Sequence, residues 1–294
     1  MKRYDVLIIG SGPAGMNAAI YSSRMNLSTA IIEKGAPGGK LVNISKIYNW
    51  IGIKETTGPN LAIEMNDHAI SSGTDSIFGS VNKIDSENNF VSLEDGQKVG
   101  YKYLIIASGT SEVIPEKIDG IHKYNNKGVS YCAICDGPLF KNEVVAVIGG
   151  GNAAVEESLY LSNVAKEVHL FVRNNFSAEK KSINDLKNKT NVFIHMNHEI
   201  ISISGQGNVE EISTTNGEFK VKAIFPYIGL KANTSFIKYL NIKTENGFIV
   251  VDDNMKTSID NIYSIGDVNS KSIRQISTAV SDGTIAAKTI ANII

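Results

Sequence analysis

Apolar positions along the chain fall into one arrangement that occurs twice. Val6-Leu7-Ile8-Ile9 is an uninterrupted apolar run of strand length, as expected for a strand buried on both faces. A helix rich in small residues follows from Ala14 to Arg24, and Ser28 to Glu33 reads as a second strand, which completes a βαβ opening. Residues 34–59 carry five glycines and two prolines and read as loop, with a helix following to about Ser72. An Asp95-Gly96 turn lies between the strand patterns 89–93 and 101–107, so a β-meander precedes the strand that ends at Ser108-Gly109. Near residue 112 the arrangement restarts. Glu143 to Ile148 reads as a buried strand, Asn152 to Ser162 as a helix and Val168 to Val172 as another strand. Further turns fall at Asn216-Gly217 and Asn246-Gly247, then a strand over 261–265 and a last helix with apolar positions Ile276, Ala279, Val280, Gly283, Ala287 and Ile290 at helical spacing. This duplication predicts an α/β protein with two doubly wound, nucleotide-binding domains.

The segments between strand and helix carry the chemistry. Gly10-Ser11-Gly12-Pro13-Ala14-Gly15 is a G-x-G-x-x-G placed after a strand and before a helix. The first glycine makes the turn, the second lets a pyrophosphate reach the backbone, and the third lets helix and strand pack closely. Pyrophosphate then lies on a helix N-terminus, where free amides favour it. Glu33 ends the next strand 23 residues after Gly10, in position to accept hydrogen bonds from an adenosine ribose. The second fingerprint is Gly149-Gly150-Gly151-Asn152-Ala153-Ala154, and the same count from Gly149 reaches Val172, followed by Arg173. With no carboxylate there to repel a 2′-phosphate, and Arg173 able to contact one, the pattern favours NADPH over NADH.

Composition narrows the picture. The 294 residues suffice for two domains; 42% are hydrophobic and 20% charged, and the formal net charge is −1. No apolar run approaches the ~20 residues of a membrane span, and no basic stripe marks a nucleic-acid binder. The N-terminal residues lack an export signal, so a cytoplasmic protein is expected. Only two cysteines occur, Cys132 and Cys135, in Cys132-Ala133-Ile134-Cys135-Asp136-Gly137. In a cytoplasmic chain that spacing reads as a redox dithiol, with Asp136 as the acid that moves the thiol proton. Zinc would need two further ligands, and among the five histidines only His195 and His198 are close in sequence, at a spacing unsuited to a zinc site. Gly35-Ala36-Pro37-Gly38-Gly39-Lys40-Leu41 lacks the glycine spacing and hydroxyl residue of a Walker loop. Gly266-Asp267, at the end of the 261–265 strand, and Arg274-Gln275-Ile276, opening the last helix, suit a flavin's ribityl chain and the charge a reduced flavin gathers near N1.

Two nucleotide sites and one dithiol imply that hydride passes from a nicotinamide to a flavin and on to a disulfide. In the order of these motifs the chain resembles the low-molecular-weight bacterial thioredoxin reductases over essentially its whole length. The resemblance implies two Rossmann-like, three-layer domains, the second inserted into the first. An FAD domain would comprise 1–112 and 242–294, and an NADPH domain carrying the dithiol would comprise 113–241, with hinges near 112 and 242 that let one domain rotate against the other. By the same resemblance Gly10, Ser11, Gly12, Ala14, Gly15, Glu33, Gly38, Gly39, Lys40, Leu41, Asn49, Gly109, Gly266, Asp267, Arg274, Gln275 and Ile276 hold FAD. Gly149, Gly151, Asn152, Ala153, Ala154 and Arg173 hold the nicotinamide dinucleotide. Cys135 faces the flavin, Cys132 attacks the disulfide of thioredoxin, Asp136 is the acid, and the protein is a homodimer without metal. Two departures stand out: Lys40 replaces the family's usual Gln, and Val172-Arg173-Asn174 with Ser177 replaces its His-Arg-Arg run and later Arg. The second leaves open NADH or a reduced iron-sulfur protein as the donor; a flavin redox sensor without catalytic turnover is a further reading of a different class, against which the intact Cys132-x-x-Cys135-Asp136 argues.

Overall fold

The computed structural model describes residues 1–44 and 46–294; residue 45, part of the 34–59 stretch read as loop, lies outside them. The chain divides into two compact units, Met1–Ser111 with Lys231–Ile294, and Glu112–Leu230.

The first unit opens with β1 (Arg3–Ile9), α1 (Pro13–Arg24) and β2 (Thr29–Glu33). A short 3-10 turn at Gly39–Asn43 precedes α2 (Gly58–Ser71), whose N-cap Thr57 accepts from the Asn60 amide at 3.3 Å. Then come β3 (Asp75–Phe78), β4 (Val81–Asp85), β5 (Phe90–Leu93) and β6 (Lys98–Ile106). β1 runs parallel to both β2 and β6, and β3 extends the sheet beyond β2. The nine-residue β6 changes neighbour along its length: Lys98 to Gly100 pair antiparallel with β5, whereas Leu104 to Ile106 pair parallel with a later strand, Ile262–Ser264.

Alternation along β1 sorts its side chains between two cores. Leu7 and Ile9 join Leu104, Ile106, Val91 and Ile84 beneath the meander, while Val6 and Ile8 join Ala14, Ala18, Ile105 and Tyr263 beneath the helices. Burial on both faces explains why β1 reads as a continuous apolar run.

The chain leaves this unit along β7 (Thr110–Glu112). The inserted unit holds α3 (Ala133–Asp136), β8 (Val144–Ile148), α4 (Asn152–Leu161), β9 (Glu167–Val172), α5 (Lys180–Lys187), β10 (Val192–Met196), β11 (Ile200–Ser204), β12 (Glu211–Thr214), β13 (Gly217–Lys220) and β14 (Ala223–Pro226). Its parallel sheet has the order β10-β9-β8-β14, and β11-β12-β13 form a separate antiparallel sheet. One core lies beneath the helices, with Val145, Val147, Leu170 and Leu186; the other lies toward the antiparallel sheet, with Ala146, Phe171, Ile203 and Ile212. Between the sheets sits an aromatic stack. His169 and His195 lie parallel with centroids 5.1 Å apart and Nδ1 to Nε2 at 2.9 Å, and Phe219 of β13 caps His195 edge-on at 4.9 Å.

The return is through β15 (Leu230–Ala232), followed by the hairpin of β16 (Thr244–Glu245) and β17 (Phe248–Ile249), then β18 (Ile262–Ser264) and α6 (Ile276–Ala291). Residues 231–241, expected in the inserted domain, belong instead to the first unit. Asn233 bonds across to Ser108, its amide Nδ2 donating to the Ser108 carbonyl at 2.9 Å and its own carbonyl accepting from Ser108 Oγ at 2.7 Å. Ile237 and Ile242 lie in the core that holds Leu7. The apolar pattern of a single 3-10 turn at Ser235–Ile237 is too short to reveal which core it fills.

α6 packs along α1 with its backbone close. A Cβ on Gly283 would lie 2.5 Å from the Ala14 carbonyl oxygen and 3.0 Å from the Ala18 nitrogen. Asn17 Nδ2 donates to the Val280 carbonyl and to Thr284 Oγ1, both at 2.8 Å. Gly283→Ala therefore overpacks this seam and lowers stability by about 1–3 kcal/mol, read as a lower urea midpoint, whereas Gly52→Ala, whose Cβ meets open space, loses only the cost of its positive φ. The stacked histidines make a second expectation. Burial lowers the pKa of His169, and it brings His195 down to about 4, with the neighbouring His169 and His198 adding to the effect. Between the ordinary 6.5 and about 4 the unfolded chain binds protons that the folded unit does not, so stability is full above 6.5 and falls with pH through this window. Chemical denaturation at pH 7.5 and pH 5 reads the loss, and His195→Phe reduces it.

Candidate functional site

The two fingerprints place two cradles, one in each unit. In the first, Gly10 has φ +105° and its missing Cβ would lie 2.5 Å from the Ala107 carbonyl oxygen; a Cβ on Gly15 would collide with the Gly10 carbonyl oxygen. Gly12 is the opposite case, since a Cβ there meets nothing within 4 Å. Two glycines thus satisfy packing, and the third leaves an open approach to the backbone at the start of α1. The loop after β2 lies against this approach: Gly38 donates its amide to the Ser11 carbonyl at 2.8 Å, and Gly39, at φ +55°, would set a Cβ 3.4 Å from Gly12 Cα.

Glu33 is fixed at the edge of this cradle by four donors. Its Oε2 accepts from the Ser11 amide at 2.9 Å and Ser11 Oγ at 3.0 Å, and its Oε1 from the Lys34 amide at 2.8 Å and the Gly35 amide at 3.0 Å. The carboxylate therefore shapes the glycine-rich turn itself. Asp267, in the 3-10 turn Gly266–Val268, has its pKa raised by burial, which Lys40, Lys271 and Arg274 oppose. Gly266 donates its amide to Asp282 Oδ2 at 2.8 Å. Arg274 donates to the carbonyls of Asp267 at 3.3 Å and Asn269 at 3.2 Å and stacks 4.4 Å over the Phe248 ring, so it braces the turn that presents Asp267. Asn49 Nδ2 donates to Gln275 Oε1 at 3.1 Å, and Gln275 caps α6 reciprocally with Thr278, which places Ile276 as the first helical residue. Leu41 is buried, Gly109 has φ +63° with open space at its Cβ, and the hydroxyl of neighbouring Thr110 is buried without a partner.

In the inserted unit Gly149, at φ +139°, abuts the Tyr227 carbonyl, which leaves no room for a Cβ, and Ala154 is buried beneath it. A Cβ on Gly151 would meet only Ser177 Oγ, at 3.7 Å. Asn152 Oδ1 accepts from the Glu179 amide at 2.8 Å, which ties the start of α4 to the loop after β9, and Ala153 is exposed. Arg173 is 73% exposed, and its Nε lies 4.0 Å from Glu199 Oε1. Val172 is buried in the core.

Cys132 and Cys135 form a disulfide, Cα to Cα 5.3 Å, across the start of α3. Cys132 Sγ accepts from the Cys135 amide at 3.2 Å. Ser130 joins the pair to the acid: its Oγ accepts from the Cys132 amide at 3.1 Å and donates to Asp136 Oδ2 at 2.6 Å. From 94 residues along the chain the Tyr227 hydroxyl accepts from the Ala133 amide at 3.0 Å. Burial raises the pKa of Tyr227, and the charge of Glu157 adds to it. Tyr227 escapes sequence reading because it becomes a neighbour only through tertiary packing, and Ser130, two residues before Cys132, because no local pattern tells that its hydroxyl bridges the Cys132 amide and Asp136. Among the described residues no group of three or more His, Cys, Asp or Glu has metal-binding geometry, and no helix is long and apolar enough to cross a membrane.

The chain matches known proteins over nearly its full length. The pyridine nucleotide-disulphide oxidoreductase family pattern covers residues 4–283. The thioredoxin reductase of Mycoplasmopsis pulmonis is 44% identical over 99% of this chain and 97% of its own, and that of Bacillus subtilis is 36% identical over 98% and 94%. The crystal structure of Lactococcus lactis thioredoxin reductase superposes with a TM-score of 0.95 at 35% identity, covering 99% of this chain and 100% of that one. The chain belongs to the pyridine nucleotide-disulphide oxidoreductases, and within them to the low-molecular-weight thioredoxin reductases.

Proposed function

We propose that this chain is an FAD-dependent thioredoxin reductase, a cytoplasmic homodimer that passes electrons from NADPH through FAD to the Cys132–Cys135 pair and from there to thioredoxin. The observation that carries the reading is the closed disulfide, in hydrogen-bonded contact with Ser130 and Asp136, on a chain that also holds two dinucleotide cradles. The open approach at Gly12, the orphaned Thr110 hydroxyl and the Asp267 carboxylate fit a flavin dinucleotide in the first unit. Bound there, the flavin supplies two-electron exchange between a hydride donor and a disulfide. Gly10, Ser11, Gly12, Ala14 and Gly15 receive the pyrophosphate; Glu33, Gly38 to Leu41, Asn49, Gly109, Gly266, Asp267 and Arg274 to Ile276 surround the rest. Gly149 to Ala154 receive the second dinucleotide, with Arg173 beside its ribose.

Two electrons and two protons open the disulfide to two thiols. The Cys132 thiolate attacks one sulfur of the thioredoxin disulfide, and the departing thioredoxin sulfur takes a proton. The Cys135 thiolate then attacks Cys132 Sγ, re-forms the intramolecular disulfide and releases the second thioredoxin thiol. Asp136, held by the Ser130 hydroxyl, gives and takes the proton at Cys135 Sγ.

A second reading, NADH as donor, is favoured by the Glu199 carboxylate 4.0 Å from the Arg173 guanidinium, since it competes with a 2′-phosphate for the same cation. Cys132→Ser and Cys135→Ser each reduce NADPH-driven thioredoxin reduction to background, and Asp136→Asn lowers kcat about a hundredfold; turnover that survives both serine substitutions refutes the thiol relay. For the donor, Arg173→Ala lowers kcat/KM for NADPH about ten- to a hundredfold and leaves NADH unchanged. A wild type that uses NADH as well as NADPH, with neither altered by Arg173→Ala, supports the second reading instead.

A further inference from the structure

Asp282 is the one charged side chain among the inward-packed positions of α6, which are otherwise Ala279, Gly283, Ala286, Ala287 and Ile290. An unpaired carboxylate at such a place is costly, and even a paired one gains little over an apolar residue of the same volume. Stability alone therefore does not account for it. Asp282 Oδ2 accepts two hydrogen bonds, from the Gly266 amide at 2.8 Å and from Lys271 Nζ at 2.5 Å. The Lys271 side chain is itself largely covered, at 18% exposure. Both donors lie in the connection from β18 to α6, so one oxygen pins the two ends of residues 266–271 to the helix. Inside the connection, Asn269 Nδ2 donates to the Ser264 carbonyl at 2.8 Å.

The pinned segment lies against the first fingerprint. Gly266 has φ +77°, and a Cβ on it would lie 3.0 Å from Ala14 Cβ. Gly283, next to Asp282, would set a Cβ 2.5 Å from the Ala14 carbonyl oxygen. The 266 turn and α6 thus meet α1 at the same residue, and Asp267 sits between the two pinned ends.

We infer that Asp282 and Lys271 are positioning residues for the flavin: their buried ion pair holds residues 266–271 in the shape that receives the ribityl and ring half of FAD before the cofactor arrives. The inference rests on the first unit being the FAD site of the proposed function. An unpinned segment of this length would lose conformational freedom on binding the cofactor, whereas the pair removes that freedom during folding. Replacing one partner leaves the other charge buried without compensation, which favours release of the segment toward water. Replacing both removes the stranded charge along with the pin. The ADP half of the cofactor has its own supports in Gly10 to Gly15 and Glu33, so it does not sense the pair.

Serial dilution of the flavin-loaded protein, with released FAD read by its fluorescence, gives the Kd for FAD, and the same release with ADP as competitor gives an inhibition constant for ADP. Asp282→Asn, which keeps an acceptor for the Gly266 amide, and Lys271→Met each raise the Kd for FAD about tenfold or more and leave the ADP constant within about twofold of wild type. The double variant binds FAD no more weakly than the weaker-binding single variant, because either substitution already breaks the pair. Changes below about threefold in both single variants overturn the inference. Equal losses for FAD and ADP overturn it too, since they mark a general loosening of the unit, as do multiplied losses in the double variant, which mark two independent residues. If Asp282→Asn does not fold, Lys271→Met decides alone. A wild type that purifies without flavin and takes up none refutes the proposed function and this inference together, whereas a flavin-binding wild type with variants that match it refutes this inference alone.

Discussion

The structure depends on how closely backbone can approach backbone where a strand turns into a helix. In both units the turn leaves no room for a side chain: Gly10 faces the Ala107 carbonyl, Gly15 the Gly10 carbonyl, and Gly149 the Tyr227 carbonyl. Only glycine tolerates such closeness together with φ of +105° at Gly10 and +139° at Gly149. This compression brings the first turn of α1 and of α4 over the ends of their strands, so that free amides face outward where a pyrophosphate can lie. The seam between α1 and α6 continues the same theme, with Gly283 against Ala14 and Asn17 bridging to the α6 backbone. Small residues throughout α1 are thus a packing requirement, which is why the helix shows little apolar bulk in sequence.

Tyr227 ties two functions of the inserted unit into one residue. Its carbonyl oxygen occupies the space that forces Gly149, and its hydroxyl holds the amide between the cysteines. Ser130 does comparable work on the other side, bridging the Cys132 amide and the Asp136 carboxylate. The redox turn is therefore held from outside its own four residues, as a short helix requires when its internal bonds are too few to specify one geometry.

The parts that could be read from sequence are those whose physics is local. The Gly10 and Gly149 fingerprints, the buried runs at Val6 and Val145, the Asp95-Gly96 turn and the dithiol spacing each declare themselves within about ten residues, and the structure shows a βαβ unit at both fingerprints and a disulfide between the cysteines. What could not be read is set by tertiary packing. Nothing in 231–241 tells that Ile237 belongs beside Leu7, because a three-residue turn has no period. Glu33 reads as a ribose acceptor, yet in the folded chain it takes four donors from its own loops, a geometry that depends on Ser11 lying beside it. Arg173 reads as a contact for a 2′-phosphate, and only the fold brings Glu199 to it from 26 residues downstream. Lys40, where the resembled family usually has Gln, lies in the field of Asp267, a proximity that no short-range pattern contains.

The interrupted first unit has a consequence for the order in which the protein is made. Its central sheet needs β18 beside β6, and its helical layer needs α6 against α1, but both arrive only after the whole of Glu112–Leu230 has been synthesised. The inserted unit is continuous and holds its own cores, so it can close while translation proceeds. Meanwhile the emerging N-terminal segment carries β1, β2 and the apolar face of α1 with that layer incomplete, for the time a ribosome takes to add well over a hundred residues. The first unit's cradle is consequently the last part of the molecule to be assembled, and the interval before it closes is when the nascent chain has most need of a chaperone.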